Sequence, residues 1–388
     1  MRVILLTDAV SKSGGGVSEV TKQLCYHMQN KSNVDLSILA YNDSVEPDDS
    51  SFNEKGLIDF YHISQIPLLN KIGYSSDIDA IISRVQPNII DSQGLWMYHS
   101  NAVVRYKKSS AVKTVITPHG MLDPWAIENS RWKKIIVGHL FEYRNLNQAD
   151  CIKALCKAEY DSIRAFGLKN PVAIIPNGIE IPVTFRPTQK RSKRTLLFLG
   201  RIHPKKGLLQ LIKALAIVKS NNPELLSNWE VRIAGWNQND YLKQLLNEVN
   251  VLGLDETISF IGPVFGESKT TELANADAFI LTSFSEGLPM SVLEAWSFHL
   301  PVIMTDKCNL PEGFNTDSAV RVDTTPESIS EGLLSVFKMP PSRLIQMGDN
   351  GYKLVSEYFS WERVSSSTLR LYEWLLHGGE TPDFVMID

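Results

Sequence analysis

The sequence lacks any run of about 20 apolar residues, the length that a helix needs to cross a bilayer. It also lacks a signal-peptide pattern, because the apolar run in MRVILLTDAV ends at Asp8 with no cleavage-like site behind it. We interpret that stretch as a buried first strand. The net charge of −4 gives no reason to expect nucleic acid as a partner. We therefore expect a soluble protein, at most bound to a membrane surface, with no nucleic-acid partner.

Cysteine is scarce, and none of the four residues forms a CxxC pair: Cys25, Cys151, Cys156 and Cys308. No pair of histidines lies near Cys151 and Cys156, so we expect buried reduced thiols and no zinc site. The one Asp-x-Asp pair, Asp77 and Asp79, starts an amphipathic segment. We interpret it as helix N-terminal charge and expect no metal.

Short apolar runs alternate with segments of helical period along the whole chain, as in parallel sheets covered by helices. The 388 residues fit two domains of roughly 150–200 residues each. We predict an α/β protein with two doubly wound domains, a linker, a final helix and a loose polar tail. The bounds are residues 1–183 for the N-terminal domain, 184–194 for the linker, 195–360 for the C-terminal domain and 361–378 for the helix. Ligands of such sheets bind beyond the carboxyl ends of the strands, so a cleft between two facing domains is the expected site.

Two strand ends of the first domain carry candidate residues. The first strand is followed by SKSGGGVSEV, in which Gly14, Gly15 and Gly16 lead into a helix. This turn is either a phosphate contact or a plain flexible turn. His119 ends another strand, in TPHGMLDPW, and is either structural or chemical. Asp123 nearby either orients it or caps the next segment.

The second domain opens with FLGRIHPKKG, a basic loop between a strand and a helix. Arg201 and Lys206 there suit a diphosphate, because guanidinium and ammonium groups bind phosphate strongly where water is partly excluded. The alternative is a solvated basic loop.

The stretch TSFSEGLPMSVLEAW places Glu286 before a helix start and Glu294 about five residues inside it. The helix start favours an anion, but carboxylates that touched a phosphate would repel it. Each carboxylate is therefore expected to accept hydrogen bonds from hydroxyl groups on either side of the anion. A molecule with central phosphates and a hydroxyl-bearing ring at each end is a sugar nucleotide. The alternative is a capping charge at Glu286 and a surface charge at Glu294.

Together these residues resemble the retaining glycosyltransferases of family four, which have the GT-B fold of two Rossmann-like domains facing across a cleft. The resemblance covers nearly the whole chain. Its most specific part is the E-x7-E motif from Glu286 to Glu294, followed by G-R-x-x-x-K-K-G from Gly200 to Gly207. The glycine-rich turn, His119–Gly120, PNGI at 176–179 and FSW at 359–361 agree in order and spacing.

The resemblance implies roles for these residues. Arg201 and Lys206 would bind the donor diphosphate and stabilise charge on the leaving group. Glu286 would contact the donor sugar near the reacting carbon, and Glu294 the ribose. His119 would lie beside the donor sugar. Backbone groups that approach sugar or phosphate would come from Gly15, Gly16, Gly287, Leu288 and Pro289. No metal or other cofactor is implied, the leaving phosphate takes the acceptor proton, and the final helix crosses back to the first domain.

One segment departs from the family, because Gln93 stands before Gly-Leu-Trp where relatives often carry histidine. Gln93, Trp96 and Asp123 are predicted to lie on the acceptor side. Residues 121–144 resemble relatives that build bacterial surface polysaccharides. Their aromatic, basic and apolar groups suit either an anionic membrane surface with a lipid-linked acceptor or an amphipathic helix that covers the sheet: Trp125, Arg131, Trp132, Lys133, Lys134 and Ile135.

We therefore predict a retaining, metal-independent hexosyltransferase that moves a sugar from a nucleotide-diphosphate sugar to a glycan or polyprenyl-diphosphate-linked acceptor. It is expected in the cytoplasm or on the inner face of the plasma membrane, in O-antigen (lipopolysaccharide), capsule or exopolysaccharide synthesis. A sugar-nucleotide epimerase or hydrolase would need acid and base carboxylates in the first domain, where Asp123 alone offers itself. A non-catalytic sugar-nucleotide-binding protein would be expected to lose Arg201, Lys206 or Glu286. An inverting transferase would use His119 or Asp123 as base.

Overall fold

The computed structural model describes residues 1–11, 15–29, 34–41, 58–63, 73–128, 131–182, 192–237 and 240–387. Packing divides the chain into two units, Met1–Gly178 with Trp361–Asp388, and Ile179–Ser360. The first unit is discontinuous because the C-terminal segment rejoins it. Most of the predicted linker at 184–194 lies outside the described residues, and its last residue, Arg194, already begins a strand.

The strands are β1 (Arg2–Thr7), β2 (Asp35–Tyr41), β3 (Ile58–Ile63), β4 (Ile89–Gln93), β5 (Lys113–Thr117), β6 (Cys151–Ala154), β7 (Val172–Ile174), β8 (Arg194–Leu199), β9 (Trp229–Ala234), β10 (Ile258–Gly262), β11 (Ala278–Leu281), β12 (Val302–Thr305), β13 (Ala319–Val322) and β14 (Val385–Met386). The helices are α1 (Gly15–Met28), α2 (Asp77–Val85), α3 (His99–Lys107), α4 (Pro124–Glu128), α5 (Arg131–Val137), α6 (Tyr143–Gln148), α7 (Lys157–Ala165), α8 (Leu208–Asn221), α9 (Pro223–Ser227), α10 (Tyr241–Val251), α11 (Gly266–Asn275), α12 (Met290–Ser297), α13 (Pro311–Asn315), α14 (Pro326–Phe337), α15 (Pro341–Tyr358) and α16 (Trp361–His377). A π-helix, Gly138–Glu142, joins α5 to α6.

The first unit is built on a sheet in the order β14-β7-β6-β5-β4-β1-β2-β3. Strands β1 to β7 pair in parallel. The centre of the sheet is apolar on both faces, as parallel sheets covered by helices require: Val3 and Leu5 pack with α1 and α16, and Ile4 and Leu6 pack with α2 and α3. The order reverses between β1 and β4, which makes their carboxyl ends the switch point of this sheet.

The second unit has a sheet in the order β10-β9-β8-β11-β12-β13, and all its pairs are parallel. Its order reverses between β8 and β11. Helices cover both faces around one continuous apolar core that includes Phe198, Trp229 and Trp296. Both units therefore have the predicted doubly wound, Rossmann-like architecture.

The C-terminal part of the first unit agrees with one expectation and departs from another. The final helix, α16, packs on α1 in the first unit, as expected. The expected loose tail is wrong, because Val385 and Met386 pair antiparallel with β7. The carbonyl of Phe384 also accepts the amide of Ile174 at 2.8 Å. Backbone pairing at an otherwise open sheet edge orders a segment whose polar composition alone predicts disorder.

Candidate functional site

The strongest cluster of predicted site residues lies at the switch point of the second sheet. The loop after β8 runs from Gly200 to Gly207, and the loop after β11 runs from Thr282 to Pro289. Since β8 and β11 are parallel neighbours, both loops emerge at the same edge. Open α/β sheets bind ligands at this position.

Gly207 allows the two loops to touch. Its φ is +69°, and a Cβ there would lie 2.1 Å from the carbonyl oxygen of Thr282. The Thr282 hydroxyl donates to the Gly207 carbonyl at 3.1 Å. The amide of Phe284 donates to the carbonyl of Lys205 at 2.8 Å. Only glycine fits both the left-handed backbone and the close approach.

Lys206 and Glu286 form an ion pair across these loops. Lys206 Nζ lies 2.6 Å from Glu286 Oε1, and only 14% and 12% of the two side chains are exposed. The Ser283 hydroxyl donates to the same carboxylate oxygen. The Glu286 backbone is held as well, because its amide donates to the Lys307 carbonyl at 2.9 Å and its carbonyl accepts from Asn309 Nδ2 at 2.6 Å. The carboxylate is therefore fixed in place, and the ammonium group keeps donors beyond the one used on Glu286.

The loop after β8 has a positive local field. His203 caps the short turn Pro204–Lys206 by accepting the Lys205 amide on Nδ1 at 3.1 Å. Partial burial lowers the pKa of His203, and the positive charges of Arg201, Lys205 and Lys206 lower it further. Arg201 is exposed at the start of this loop. Three cations close enough to act on one imidazole suit an anionic ligand.

Glu294 is the fifth residue of α12, as predicted, and it is also paired. Lys269 Nζ, from α11, lies 2.7 Å from Glu294 Oε1. Sequence reasoning missed Lys269, since nothing in its local pattern marks it and only the fold brings α11 beside α12. At the start of α12, Gly287 is exposed, Leu288 half-buried and Pro289 buried. Each glutamate is thus held by a lysine from another element.

His119 belongs to the first unit, at the carboxyl end of β5. Its φ is +51°, a strained conformation for a residue other than glycine. Its Nε2 lies 2.8 Å from Gln93 Oε1, and Gln93 Nε2 donates to buried Asp91 at 2.7 Å. Asp91 also accepts from Tyr372 of α16 at 2.6 Å. With Gln93 oriented in this way, His119 Nε2 carries the proton and Nδ1 is left as the acceptor.

Burial lowers the pKa of His119 to about 3, and the positive charge of Lys153 lowers it further. The imidazole is therefore neutral at physiological pH. Sequence reasoning predicted Gln93 on the acceptor side, and the structure shows both ends of its amide engaged with Asp91 and His119. The hydrogen bonds of Asp91 and Tyr372 join residues far apart in sequence, so no local motif reveals them.

Buried carboxylates hold the neighbouring loops of the first unit. Glu159 accepts the amides of Gly120 at 2.5 Å and Leu155 at 2.7 Å. Glu142, from the π-helix, accepts the amide of Trp96 at 2.7 Å. Each of these carboxylates therefore holds the backbone of a loop that follows a strand.

The remaining predicted residues of the first unit lie as follows. Asp123 directly precedes α4, where its carbonyl accepts the Ile127 amide at 2.9 Å. Gly15 and Gly16 begin α1 and are exposed, while Gly14 lies outside the described residues. The predicted contact of these glycines with a diphosphate stays a prediction. Asp77 and Asp79 occupy the first turn of α2, where Asp79 pairs with Arg105.

Two family models match consecutive parts of the chain. "Glycosyltransferase Family 4" matches residues 14–182 and "Glycosyl transferases group 1" matches residues 182–354. The chain therefore belongs to the GT-B glycosyltransferases that these two models describe. Its two units carry the two halves of the family pattern, and the E-x7-E glutamates lie in the group 1 half.

Three curated relatives are each less than 30% identical to this chain. The MMP alpha-(1->4)-mannosyltransferase of Mycolicibacterium hassiacum is 24% identical over 52% of this chain and 47% of the relative. The D-inositol 3-phosphate glycosyltransferase of an Arthrobacter species is 26% identical over 52% and 49%. One human phosphatidylinositol N-acetylglucosaminyltransferase subunit is 22% identical over 76% and 59%. The match thus spans about half the length of the first two relatives.

Solved structures with the same fold cover nearly the whole chain. Sucrose-phosphate synthase from Thermosynechococcus elongatus has a TM-score of 0.78 at 16% identity, covering 98% of this chain and all of that one. HepE from Anabaena, solved with UDP-glucose, has a TM-score of 0.73 at 15% identity, covering 96% and 99%. At these identities the likeness establishes the fold alone.

Proposed function

We propose that the protein is a retaining, metal-independent glycosyltransferase that uses a nucleoside diphosphate sugar as donor. The observation that carries this is the fixed Lys206–Glu286 pair at the switch point of the second sheet, beside Arg201 in a positive loop. The ammonium group of Lys206 suits a diphosphate, and the carboxylate of Glu286 suits sugar hydroxyls. A simple anion site would not need the carboxylate.

In the proposed reaction, negative charge develops on the leaving phosphate, next to Arg201 and Lys206. The bond between the anomeric carbon and the donor phosphate breaks, and its electron pair goes to the phosphate oxygen. Arg201 and Lys206 stabilise that developing charge. The acceptor hydroxyl forms the new bond on the same face of the sugar and gives its proton to the leaving phosphate. Glu286 accepts hydrogen bonds from donor sugar hydroxyls, and Glu294 accepts them from the ribose.

The structure gives no support to a protein base at His119. A neutral imidazole whose pKa is lowered to about 3 is a poor general base near pH 7. This argues against an inverting transferase that uses His119 as its base, and it fits retention with a substrate phosphate as the proton acceptor. Nuclear magnetic resonance of the first-formed product anomer decides between the two.

A metal is not part of the proposal. In the part of the chain that the structure describes, no three histidine, cysteine, aspartate or glutamate residues are grouped to hold an ion. We propose instead that Arg201 and Lys206 compensate the negative charge of the donor phosphates. Donor turnover in EDTA tests this directly, because strict dependence on an added divalent ion contradicts the assignment.

The donor site is tested by thermal shift against UDP, GDP, ADP and dTDP sugars in EDTA. HepE is solved with UDP-glucose, which makes uridine donors the first to try. We expect one nucleotide class to stabilise the wild type, and Arg201→Ala and Glu286→Ala to lose most of that shift. Arg343→Ala is the matched control, because Arg343 lies in the same unit, on α15, and pairs with Asp317. An unchanged shift in Arg201→Ala contradicts the donor site.

We further propose that α5 rests on an anionic membrane that carries a lipid-linked acceptor, as in bacterial surface-polysaccharide synthesis. None of the seven residues of α5 is buried, and all but Lys134 and Val137 are exposed. Trp132 is 65% exposed, and Ile135, Ile136 and Leu140 are exposed beside it. Apolar residues next to Arg131, Lys133 and Lys134 suit the boundary of an anionic bilayer. The side chain of Trp125 lies outside the described part.

Among the described residues no helix is long and apolar enough to cross a bilayer. Membrane binding is therefore tested as surface binding, by co-sedimentation with phosphatidylcholine vesicles with and without phosphatidylglycerol. We expect binding that needs the anionic lipid and is lost in Trp132→Ala/Ile136→Ala. Val251→Ala/Ile345→Ala removes exposed apolar groups from the second unit and serves as control. Equal binding by both double variants contradicts the proposal.

A further inference from the structure

A chain of hydrogen bonds beneath His119 joins β4 to the end of β5 and to α16. His119 Nε2 lies 2.8 Å from Gln93 Oε1, and Gln93 Nε2 donates to Asp91 Oδ1 at 2.7 Å. At the far end, Tyr372 donates to Asp91 Oδ2 at 2.6 Å. Asp91 and Tyr372 are fully buried and Gln93 is 1% exposed, whereas His119 is half-buried. Of these four residues, His119 is therefore the one that a ligand can meet.

Asp91 sets the direction of this chain, because a carboxylate only accepts hydrogen bonds. Thr117 Oγ1 is a third donor to it at 3.4 Å, and the buried ammonium group of Lys153 lies 3.8 Å from its Oδ2. Burial raises the pKa of Tyr372 well above its usual value, so the hydroxyl keeps the proton that it donates. Burial also raises the pKa of Asp91, while the charge of Lys153 and the three donors oppose that shift. A lysine charge and three donors at one carboxyl group favour its ionised form.

The amide of Gln93 passes this direction on to His119. Its NH₂ group faces Asp91, so its carbonyl oxygen faces His119 and can only accept. Nε2 of His119 must then carry the proton, and Nδ1 presents its lone pair. A histidine at position 93, as relatives often carry, could offer either a proton or a lone pair to His119. The glutamine amide has one end of each kind and removes that choice.

The surroundings of His119 hold the ring in place and keep Nδ1 unprotonated. Its φ of +51° is strained, and such strain persists where neighbouring contacts enforce it. Here the contact is made by Glu159, which accepts the amide of the next residue, Gly120, at 2.5 Å. The positive charge of Lys153 acts on the imidazole and disfavours a second proton. Nδ1 is therefore a neutral acceptor in a fixed position.

We propose that Asp91 and Gln93 are positioning residues, which hold Nδ1 of His119 as the hydrogen-bond acceptor for a hydroxyl group of the transferred sugar. The inference rests on the proposed function, because it takes the sugar of the donor as the molecule that His119 meets. It adds a requirement on that sugar. At this contact the sugar must present a hydroxyl group, since a carboxylate or carbonyl oxygen has no proton to donate. Asp91 and Gln93 act through His119 and do not touch the sugar.

The tautomer of His119 is read on the full chain, without ligand, by long-range proton–nitrogen correlation spectra of the histidine rings. The chain has eight histidines, and the signal that is missing from His119→Asn assigns the ring. We expect one tautomer in the wild type, with the proton on Nε2. Gln93→Met removes the acceptor and Asp91→Asn supplies an amide that can donate or accept, so both variants should populate two tautomers. Gln93→Glu should keep the wild-type tautomer, because a protonated carboxyl group donates to Asp91 and accepts from His119 as the amide does.

Calorimetric titration with UDP and UDP-glucose, or with the matching pair of the class that thermal shift selects, measures what the sugar adds to binding. Gln93→Met should weaken the nucleotide sugar about threefold to tenfold, the effect of one hydrogen bond, and leave the nucleoside diphosphate unchanged. Gln93→Glu should retain most of the sugar's contribution. A purely structural role for Gln93 predicts the opposite order, because a buried methionine costs less than a second acid beside Asp91.

Two further comparisons show whether Gln93 acts through His119. In a His119→Ala background, Gln93→Met should have no additional effect on the affinity for the nucleotide sugar. One monodeoxy analogue of the donor sugar should bind the wild type as weakly as the parent binds Gln93→Met. The control is Gln23→Met, which makes the same change on α1, where Gln23 is half-buried and donates to Glu19 at 2.9 Å.

The proposal is overturned by a single Nε2-protonated tautomer in both Gln93→Met and Asp91→Asn. Equal loss of sugar affinity in Gln93→Met and Gln93→Glu overturns it as well, and so does full binding of every monodeoxy analogue. The affinity for the nucleoside diphosphate alone reports separately on the proposed function.

Discussion

A double-mutant cycle on Lys206 and Glu286 tests the ion pair at the centre of the donor site. Breaking a fully enclosed pair costs about 3–5 kcal/mol, because the remaining charge is buried without a partner. This pair is 2.6 Å long and retains 14% and 12% side-chain exposure. We therefore expect Lys206→Met or Glu286→Gln to cost about 2–3 kcal/mol. For a domain of this size that lowers the melting temperature by about 4–12 °C.

The double variant should be at least about 1 kcal/mol more stable than the sum of the single losses predicts, since it leaves no lone charge. Scanning calorimetry without nucleotide measures all four proteins. The control cycle uses Asp240 and Lys243, which pair at 2.7 Å in the same unit with 86% and 80% of their side chains exposed. That coupling should stay below about 0.5 kcal/mol. Additive losses at Lys206 and Glu286 would refute the argument that burial makes this pair strong.

Three further predictions follow from other contacts. Because burial lowers the pKa of His99 to about 3, its contribution to the free energy of unfolding is complete above pH 6.5 and falls by about 1.4 kcal/mol per pH unit below it. Urea unfolding from pH 7.5 to pH 5 should show a shallower loss in His99→Gln, and equal slopes contradict this. A Cβ at Gly207 would press against the Thr282 carbonyl, so Gly207→Ala should lower the melting temperature sharply. A Cβ at Gly287 meets open space, so Gly287→Ala should leave the melting temperature nearly unchanged. Tyr372→Phe removes a hydrogen bond from Asp91 and should lower turnover without changing the nucleotide thermal shift, and a fall in both would show general damage.

The sequence predicted the architecture well because each central strand is an apolar run bounded by turn residues. Val3–Leu6 and Phe279–Leu281 are fully buried, as the runs imply. The strand at Ile58–Ile63 was not predicted, because Asp59, Tyr61 and His62 interrupt its apolar pattern and resemble a surface segment. The expectation of a loose tail was also wrong, because it was based on the polar composition of the segment alone. Pairing of Val385 with β7 depends on a sheet edge that lies far away in the sequence.

Site residues were predictable where one motif spans them and not where the fold assembles them. The E-x7-E spacing places Glu286 in the loop and Glu294 inside α12, as the structure shows. The lysines that hold these glutamates come from other elements, and Lys269 was not predicted. In the first unit, the Tyr372–Asp91 contact joins residues 281 positions apart. No local sequence pattern could predict a contact between residues so far apart in the chain.

The most direct test of the proposed function is release of nucleoside diphosphate from the donor selected by thermal shift, measured in EDTA with a glycan or lipid-linked acceptor. We predict turnover by the wild type without added metal. Arg201→Ala should lose at least about a hundredfold in kcat, the scale of one group that stabilises transition-state charge. Arg343→Ala should retain wild-type turnover. Full activity in Arg201→Ala, or activity that appears only with a divalent metal, would contradict the account.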